Sequence, residues 1–278
     1  MKQSHLRALQ RVYLVLLFSF MYVPIAVMAV FSFNESKSRT VFTGFTFKWY
    51  KSLFHNEMIL SALGLSLVVA LIAAVVATVV GTAAAIGINA MGKRSQAVIN
   101  NISYMPVVNP EIITGVSLML LFVVVKDGFA WANQNLGWAL PENVFGLPTL
   151  LVAHISFCLP YVIFNVSPKL RQLDVRVYEA ALGLGCNPKQ AFFKVVLPEL
   201  APAILSAFLI CLTYSIDDFL ISYFTSGTTQ TLPIVIYSMT RKKVSPEINA
   251  LSTVMFLVIL AIILFYNYLD GRRERRKS

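Results

Sequence analysis

Charged residues are scarce in this chain. Only 13% of its 278 residues are Asp, Glu, Lys or Arg while 57% are hydrophobic, and the mean hydropathy is +0.71. That is more apolar surface than a water-soluble domain can fold into one core, so a soluble globular class is excluded. Cysteine is scarcer still. Cys158, Cys186 and Cys211 stand singly without CxxC spacing, and two of them fall inside apolar stretches, a pattern that suggests neither a disulfide framework nor a zinc site. No GxxxxGK[ST] occurs anywhere, so the chain has no phosphate-cradling loop of that type. Acids are also few: 13 Asp and Glu face 23 Lys and Arg, for a formal net charge of +10. The basic residues gather at the ends and between apolar runs rather than on one polar face, which speaks for membrane topology and against nucleic-acid binding.

What the chain does have is long apolar runs. A helix of about twenty such residues crosses a hydrocarbon core of about 30 Å, and six runs qualify: approximately 12 to 33, 61 to 90, 103 to 125, 148 to 168, 201 to 222 and 248 to 269. They are too long and too continuously apolar for barrel strands. The expected fold class is therefore all-α, a polytopic membrane bundle of six helices. The first run follows Lys2, Arg7 and Arg11 as a signal peptide would, but it is longer than a signal core and lacks a small-residue cleavage site, so it is read as retained. With the N-terminus inside, 15 of the 23 basic residues become cytoplasmic, among them Lys93, Arg94 and the tail residues Arg272, Arg273, Arg275, Arg276 and Lys277. Both termini are expected in the cytoplasm. Arg241, Lys242 and Lys243 run against the rule. The second run is crowded with small residues (Ala73, Ala74, Ala77, Gly81, Ala83, Ala84, Ala85 and Gly87), which marks a closely packed core helix.

The segment between the fourth and fifth runs, 169–200, is too long for a tight connection and has a helical pattern of its own. Val175, Tyr178, Ala181 and Leu182 repeat at helical spacing, and Gly183 and Gly185 then supply a stop and a turn. A second short helix is expected at once, with Asn187 as its cap, Pro188 in its first position and Gln190 completing a capping box. Leu197-Pro198 closes the unit. Two short helices around a glycine turn, held on the cytoplasmic face, form a knob that another protein can grip.

Glu179-Ala180-Ala181, then Gly185, then Leu197-Pro198 resembles the EAA loop of bacterial ABC importer permeases. The resemblance implies the six-helix fold of type I ABC importer permeases. It also implies that the helix around Glu179 to Gln190 seats in a groove of a cytoplasmic ATPase, with Glu179 as polar anchor, Ala180 and Ala181 permitting close approach, and Gly185 making the turn. Over most of its length the chain is further similar to the spermidine/putrescine permeases of the C-subunit type. The stretches that carry this are Gly44 to Tyr50, His154 to Pro160, Ser215 to Phe219 and Ser245 to Leu251. It departs from them in the third outer loop, where Ala130 to Val144 is longer. The implied assembly is a heterodimer with a second permease, two ATPase copies inside, and an extracytoplasmic polyamine-binding protein. This chain would bind no cofactor, ATP and Mg belonging to the ATPase, and would catalyse nothing. The expected domains are 1–58, a first helix with its outer loop; 59–265, the transport domain carrying loop 169–200; and 266–278, a basic cytoplasmic tail.

The acids point independently to a cationic cargo. Glu111, Asp217 and Asp218 fall within expected spans, where a carboxylate costs about 2.5 to 3.5 kcal/mol, and no Lys or Arg lies inside those spans to neutralise them. A protonated polyamine is an available partner, and Tyr214, Phe219 and Tyr223 could offer aromatic faces. Asp217 and Asp218, adjacent on one helix, would point about 100° apart, so either can line a pathway or make a structural hydrogen bond. Glu111, after Asn109-Pro110, can face a cavity or begin a kinked interfacial turn. His154 is read as a packed or capping residue. Two rivals remain open: an importer of the same build for another small solute, and an ion-coupled secondary transporter in which these acids carry protons or sodium. A non-transporting scaffold is a third, weaker rival.

Overall fold

The computed structural model describes residues 3–38, 41–242 and 246–275; Lys2, Lys243, Ser245, Arg276 and Lys277, named above, lie outside the described residues. It is all-α. Twelve helices occur among the described residues: α1 Gln3–Phe31, α2 Lys48–Leu53, α3 Glu57–Asn89, α4 Lys93–Val108, α5 Glu111–Leu136, α6 Leu147–Gln172, α7 Val175–Gly183, α8 Pro188–Ala191, α9 Leu197–Asp217, α10 Leu220–Thr225, α11 Leu232–Lys242 and α12 Pro246–Arg275. Five stretches are long and apolar enough to cross a membrane, namely Leu9–Phe31, Glu57–Asn89, Glu111–Leu136, Leu147–Gln172 and Pro188–Asp217, and α12 adds the shorter apolar stretch Pro246–Ala261. The chain is a multi-pass membrane protein.

Three expectations about the spans are corrected. The third span is not 103 to 125: the chain breaks between α4 and α5, because Pro110 forces Asn109 into extended geometry (ψ 137°) and lacks the N–H needed to continue the helix. The helix then runs on to Leu136 and carries Lys126 and Asp127 within it, so a basic residue does lie inside a membrane-length helix. The long outer loop also shrinks. Gly137, at φ +67°, stops α5, and Asn133 accepts from the Leu140 amide (2.8 Å) while donating to the Leu140 carbonyl (2.9 Å). Finally, the fifth span is interrupted: α9 ends at Asp217, Asp218 is extended (ψ 119°), and α10 begins at Leu220. Asp217 and Asp218 therefore do not share one helix.

The chain divides into two compact units, 1–60 with 236–278, and 61–235. In the first, α12 packs against α1 and α2. The turn between α1 and α2 is organised by buried Asn34, which donates to the Val41 carbonyl (2.8 Å), accepts from the Thr43 amide (2.9 Å), and offers its own carbonyl to Trp49 Nε1 (2.7 Å). Ser52 on α2 donates to Glu247 on α12. Two of the stretches quoted for the resemblance, around Trp49 and around Glu247, thus meet in one place.

In the second unit α6 is the central helix, packed mainly against α9 and also against α4 and α10. Ala153, Cys158, Val162 and Val166 on α6 and Ala207 and Cys211 on α9 are fully buried. Small residues admit α3 to this core. Ala74, Ala77 and Ala85 are fully buried, and a methyl group at Gly81 would lie 2.6 Å from Val162 Cβ. Gly81→Ala is therefore expected to force α3 off α6 at about 1–3 kcal/mol. The check is a lower thermal midpoint in detergent than for Gly87→Ala, whose added methyl meets nothing.

Candidate functional site

Local chemistry shapes the segment between α6 and α9. Asp174 accepts from the Arg176 amide (3.0 Å) and starts α7. At its other end the Gly185 amide bonds the Leu182 carbonyl (3.0 Å) and the Cys186 amide bonds the Ala181 carbonyl (3.1 Å). This is the paired hydrogen-bond pattern of a Schellman stop, with Gly185 at φ +91° in the left-handed position that pattern requires. Gly183 has no such geometry and sits in the last turn of α7. Asn187 and Gln190 then form the expected capping box: the Gln190 amide donates to Asn187 Oδ1 (2.8 Å), and the Asn187 amide donates to Gln190 Oε1 (3.1 Å). Pro188 follows at the first helical position.

Leu197-Pro198 does not close the unit as expected. α8 runs into α9 through a π-helical stretch, Phe192–Val196. Pro198 lacks an amide, and its ring would strike the Lys194 carbonyl in a regular α-helix; the wider turn relieves that crowding. Glu179 and Ala180 are exposed while Ala181 is buried within the loop. Val175 (62% exposed), Leu184 (87%) and Phe193 (61%) are open apolar side chains of the same segment as Glu179. Lys169 and Glu199 pair at 3.0 Å across the base of the segment.

The acids are gathered by a second close approach. A methyl group at Gly115 would lie 2.9 Å from the Phe224 ring and 3.3 Å from the Leu220 carbonyl, so only glycine lets α5 lie this close to α10. Glu111, one turn earlier on α5, is thereby brought within electrostatic reach of both Asp217 and Asp218. The three acids then part company. Glu111 and Asp217 are exposed, and among the described residues neither takes part in an ion pair. Asp218 is 8% exposed and accepts from the Ile221 amide (3.2 Å), the Ser222 amide (2.7 Å) and the Ser222 hydroxyl (2.9 Å). It also lies 3.5 Å from His154 Nε2. Its carboxylate is held by the fold.

Aromatic rings flank the open acids. Tyr161 on α6 and Tyr214 on α9 have centroids 4.8 Å apart, with Phe157 5.4 Å from Tyr161, and Tyr161 is within electrostatic reach of Glu111. Tyr223, 52% exposed, lies against Phe219 and Phe224, each at 5.5 Å. A groove of about 850 Å³ runs along α4 and the start of α5, lined by Asn101, Tyr104, Asn109, Thr114 and Ser117 among others. Sequence reasoning passed over Tyr161; its signal is the four-residue spacing from Phe157, which places both rings on one face of α6. No cluster of metal ligands occurs among the described residues.

The sequence model of one family, described as "Binding-protein-dependent transport system inner membrane component", matches residues 77–278. The chain belongs to that family. This permease is 37% identical over 270 residues to the putrescine transport system permease protein PotI of Escherichia coli (strain K12), covering 96% of this chain and 92% of PotI. It is 33% identical to the spermidine/putrescine transport system permease protein PotC of Haemophilus influenzae, covering 92% and 93%. In fold, the permease superposes on a chain of a bacterial ABC transporter that imports the acidic polysaccharide alginate. The TM-score is 0.74 at 18% identity, over 98% of this chain and 96% of that one. A chain of an amino acid ABC transporter gives a TM-score of 0.52 at 17% identity, over 81% and 98%. Family membership sets aside the ion-coupled secondary transporter that the sequence had left open.

Proposed function

We propose that this permease carries polyamines inward across the cytoplasmic membrane as one half of a heterodimeric pathway, driven by a separate ATPase. The observation that carries the reading is the pair of exposed carboxylates, Glu111 and Asp217, within electrostatic reach of one another and, among the described residues, in no ion pair, with Tyr161 of the Tyr161–Tyr214 pair within reach of Glu111. Two carboxylates in a membrane bundle need a counter-charge, and an alkyl diammonium or triammonium ion supplies it while its methylenes and ammonium groups meet aromatic faces. The naming of two relatives as putrescine and spermidine/putrescine permeases supports the same cargo. An anionic cargo would meet repulsion here.

On this reading residues 59–265 form the transport domain, the basic tail 266–278 and both termini are cytoplasmic, and an extracytoplasmic binding protein delivers the polyamine. One subunit encloses no pathway, so the groove along α4 and α5 would be completed by the second permease. Glu179, Ala180 and the exposed apolar residues around them seat in the ATPase, of which two copies serve the pair. Ala181, Gly185, Asn187, Leu197 and Pro198 hold that surface in shape. ATP and Mg belong to the ATPase. ATP binding pulls on the loop and opens the pathway outward, and hydrolysis resets it.

The deciding experiment is uptake of labelled putrescine and spermidine in cells that lack polyamine import and carry the partner subunits with or without this chain. Uptake that needs both the chain and an intact ATPase is the expected result. Verified assembly with no polyamine uptake would overturn the cargo and redirect the search to other cationic solutes.

A further inference from the structure

A buried polar knot ties α6 to the break between α9 and α10. His154, 2% exposed, has Nδ1 at 2.6 Å from the Ser215 hydroxyl on α9 and Nε2 at 3.0 Å from the Ser222 hydroxyl on α10. Its Nε2 also lies 3.5 Å from the Asp218 carboxylate in the break itself. One imidazole therefore touches the helix before the break, the helix after it and the residue between them. Ser215, Ser222 and Asp218 are all buried. Polar groups inside a membrane bundle are tolerated only when paired, and here His154 pairs with Ser215 and with Ser222, and Ser222 in turn with Asp218. Removing the imidazole takes from the Ser215 hydroxyl its bond across the break and leaves the Ser222 hydroxyl with Asp218 alone.

The geometry of the break decides how open Asp217 stands. Asp217 is the last residue of α9, and the chain turns extended at Asp218 immediately after it. The Asp217 side chain keeps the α9 direction, and the break removes the next turn of that helix, in which Ile221 would otherwise lie over it. We propose that His154 is a positioning residue for transport: by bonding Ser215 and Ser222 across the break it holds Asp218 as the internal anchor of α10 and thereby fixes Asp217 in its exposed orientation toward the pathway. Asp218 is then an anchor rather than a cargo ligand. The inference rests on the reading of Asp217 as a pathway residue, but it can be tested without any cargo.

In membranes containing the assembled transporter, Asp217→Cys is made in a Cys186→Ser background; Cys158 and Cys211, the remaining thiols, are fully buried. The rate of modification by a positively charged methanethiosulfonate is then measured with His154 intact and with His154→Ala, His154→Gln or Ser215→Ala. The expected result is a change of about fivefold or more with His154→Ala, a smaller change in the same direction with Ser215→Ala, and a near-normal rate with His154→Gln, which keeps polar groups at the site. Rates within about twofold for all three variants would overturn the proposal. If His154→Ala fails to accumulate, Ser215→Ala decides alone: a shifted rate supports the proposal and an unchanged one overturns it. A merely structural histidine would give losses of uptake that add to those of Asp217→Asn; a positioning one gives losses that disappear once Asp217→Asn is present. A shifted labelling rate without polyamine uptake sinks the cargo assignment alone, whereas polyamine uptake with unchanged labelling sinks only the role of His154.

Discussion

A Gly185→Val permease is expected to reach the membrane in normal amount yet lose most of its uptake, with ATP hydrolysis no longer stimulated by loaded binding protein. The cause is conformational. Gly185 holds φ +91°, and a methyl group built there meets no atom within 4 Å, so the substitution creates strain without a clash. A side chain at a left-handed position costs about 1–3 kcal/mol, and a β-branched one stands at the upper end. That cost falls on two hydrogen bonds, Gly185 to Leu182 and Cys186 to Ala181, which tie the stop of α7 to the residues that lead into the Asn187 capping box. Once they open, α7 and α8 no longer hold a fixed angle, and the surface around Glu179 and Leu184 loses its shape. A drop of about tenfold in coupled transport corresponds to about 1.4 kcal/mol, well within the strain. Gly183→Ala is the internal control: Gly183 is helical and open to space, so alanine should be neutral or slightly stabilising there. Uptake, co-purification of the ATPase and stimulated hydrolysis are the three readings. Equal coupling in the valine and alanine variants would remove this loop from the drive train.

The loop was legible in the sequence because its determinants are local. Asn187, Pro188 and Gln190 act on one another across three residues, and Gly185 is demanded by the two amides around it, so spacing alone reveals both. The interruption at Asp218 was not read, because only part of what holds it is local, namely the Ile221 and Ser222 amides three and four positions on. The bonds that stabilise it run to Ser222 and to His154, which is 64 positions away on α6, while the apolar run from 201 to 222 continues across it without a break in composition. Reading hydropathy therefore placed Asp217 and Asp218 on one helix as equivalent candidates. The third span failed for the opposite reason. Asn109-Pro110 was visible, but the apolar residues from Met105 to Val108 on its far side drew the span backwards. Lys126 and Asp127 ended the hydropathic run forwards, although nothing in the backbone stops the helix before Gly137. Hydropathy measures where a segment can sit; hydrogen bonds and proline decide where a helix ends.

Combining Glu111→Gln with Asp217→Asn is expected to reduce polyamine uptake more than any other pair of near-isosteric changes in the unit 61–235. Both side chains are exposed, and among the described residues neither is spent on an ion pair, so their charge is available to a cationic cargo. A hydrogen bond to a charged group contributes about 1.5–3 kcal/mol, which gives about tenfold or more per carboxylate and about a hundredfold for both if they act on separate amines. Because the two acids lie within electrostatic reach of one another, one ammonium could bridge both. The double variant would then lose scarcely more than either single one. Spermidine, with three amines, should suffer less from a single change than putrescine, with two, if its additional amine finds the remaining acid. Asp218→Asn separates charge from structure. The Ile221 and Ser222 amides donate to different oxygens of Asp218, so the single carbonyl oxygen of asparagine keeps only one of the two bonds; the variant should keep more uptake than Asp217→Asn and reveal itself chiefly as lower stability. Were Asp218→Asn instead to match Asp217→Asn in uptake loss at normal stability, the buried carboxylate would be facing the cargo during the cycle, and the break between α9 and α10 would have to open for each molecule carried.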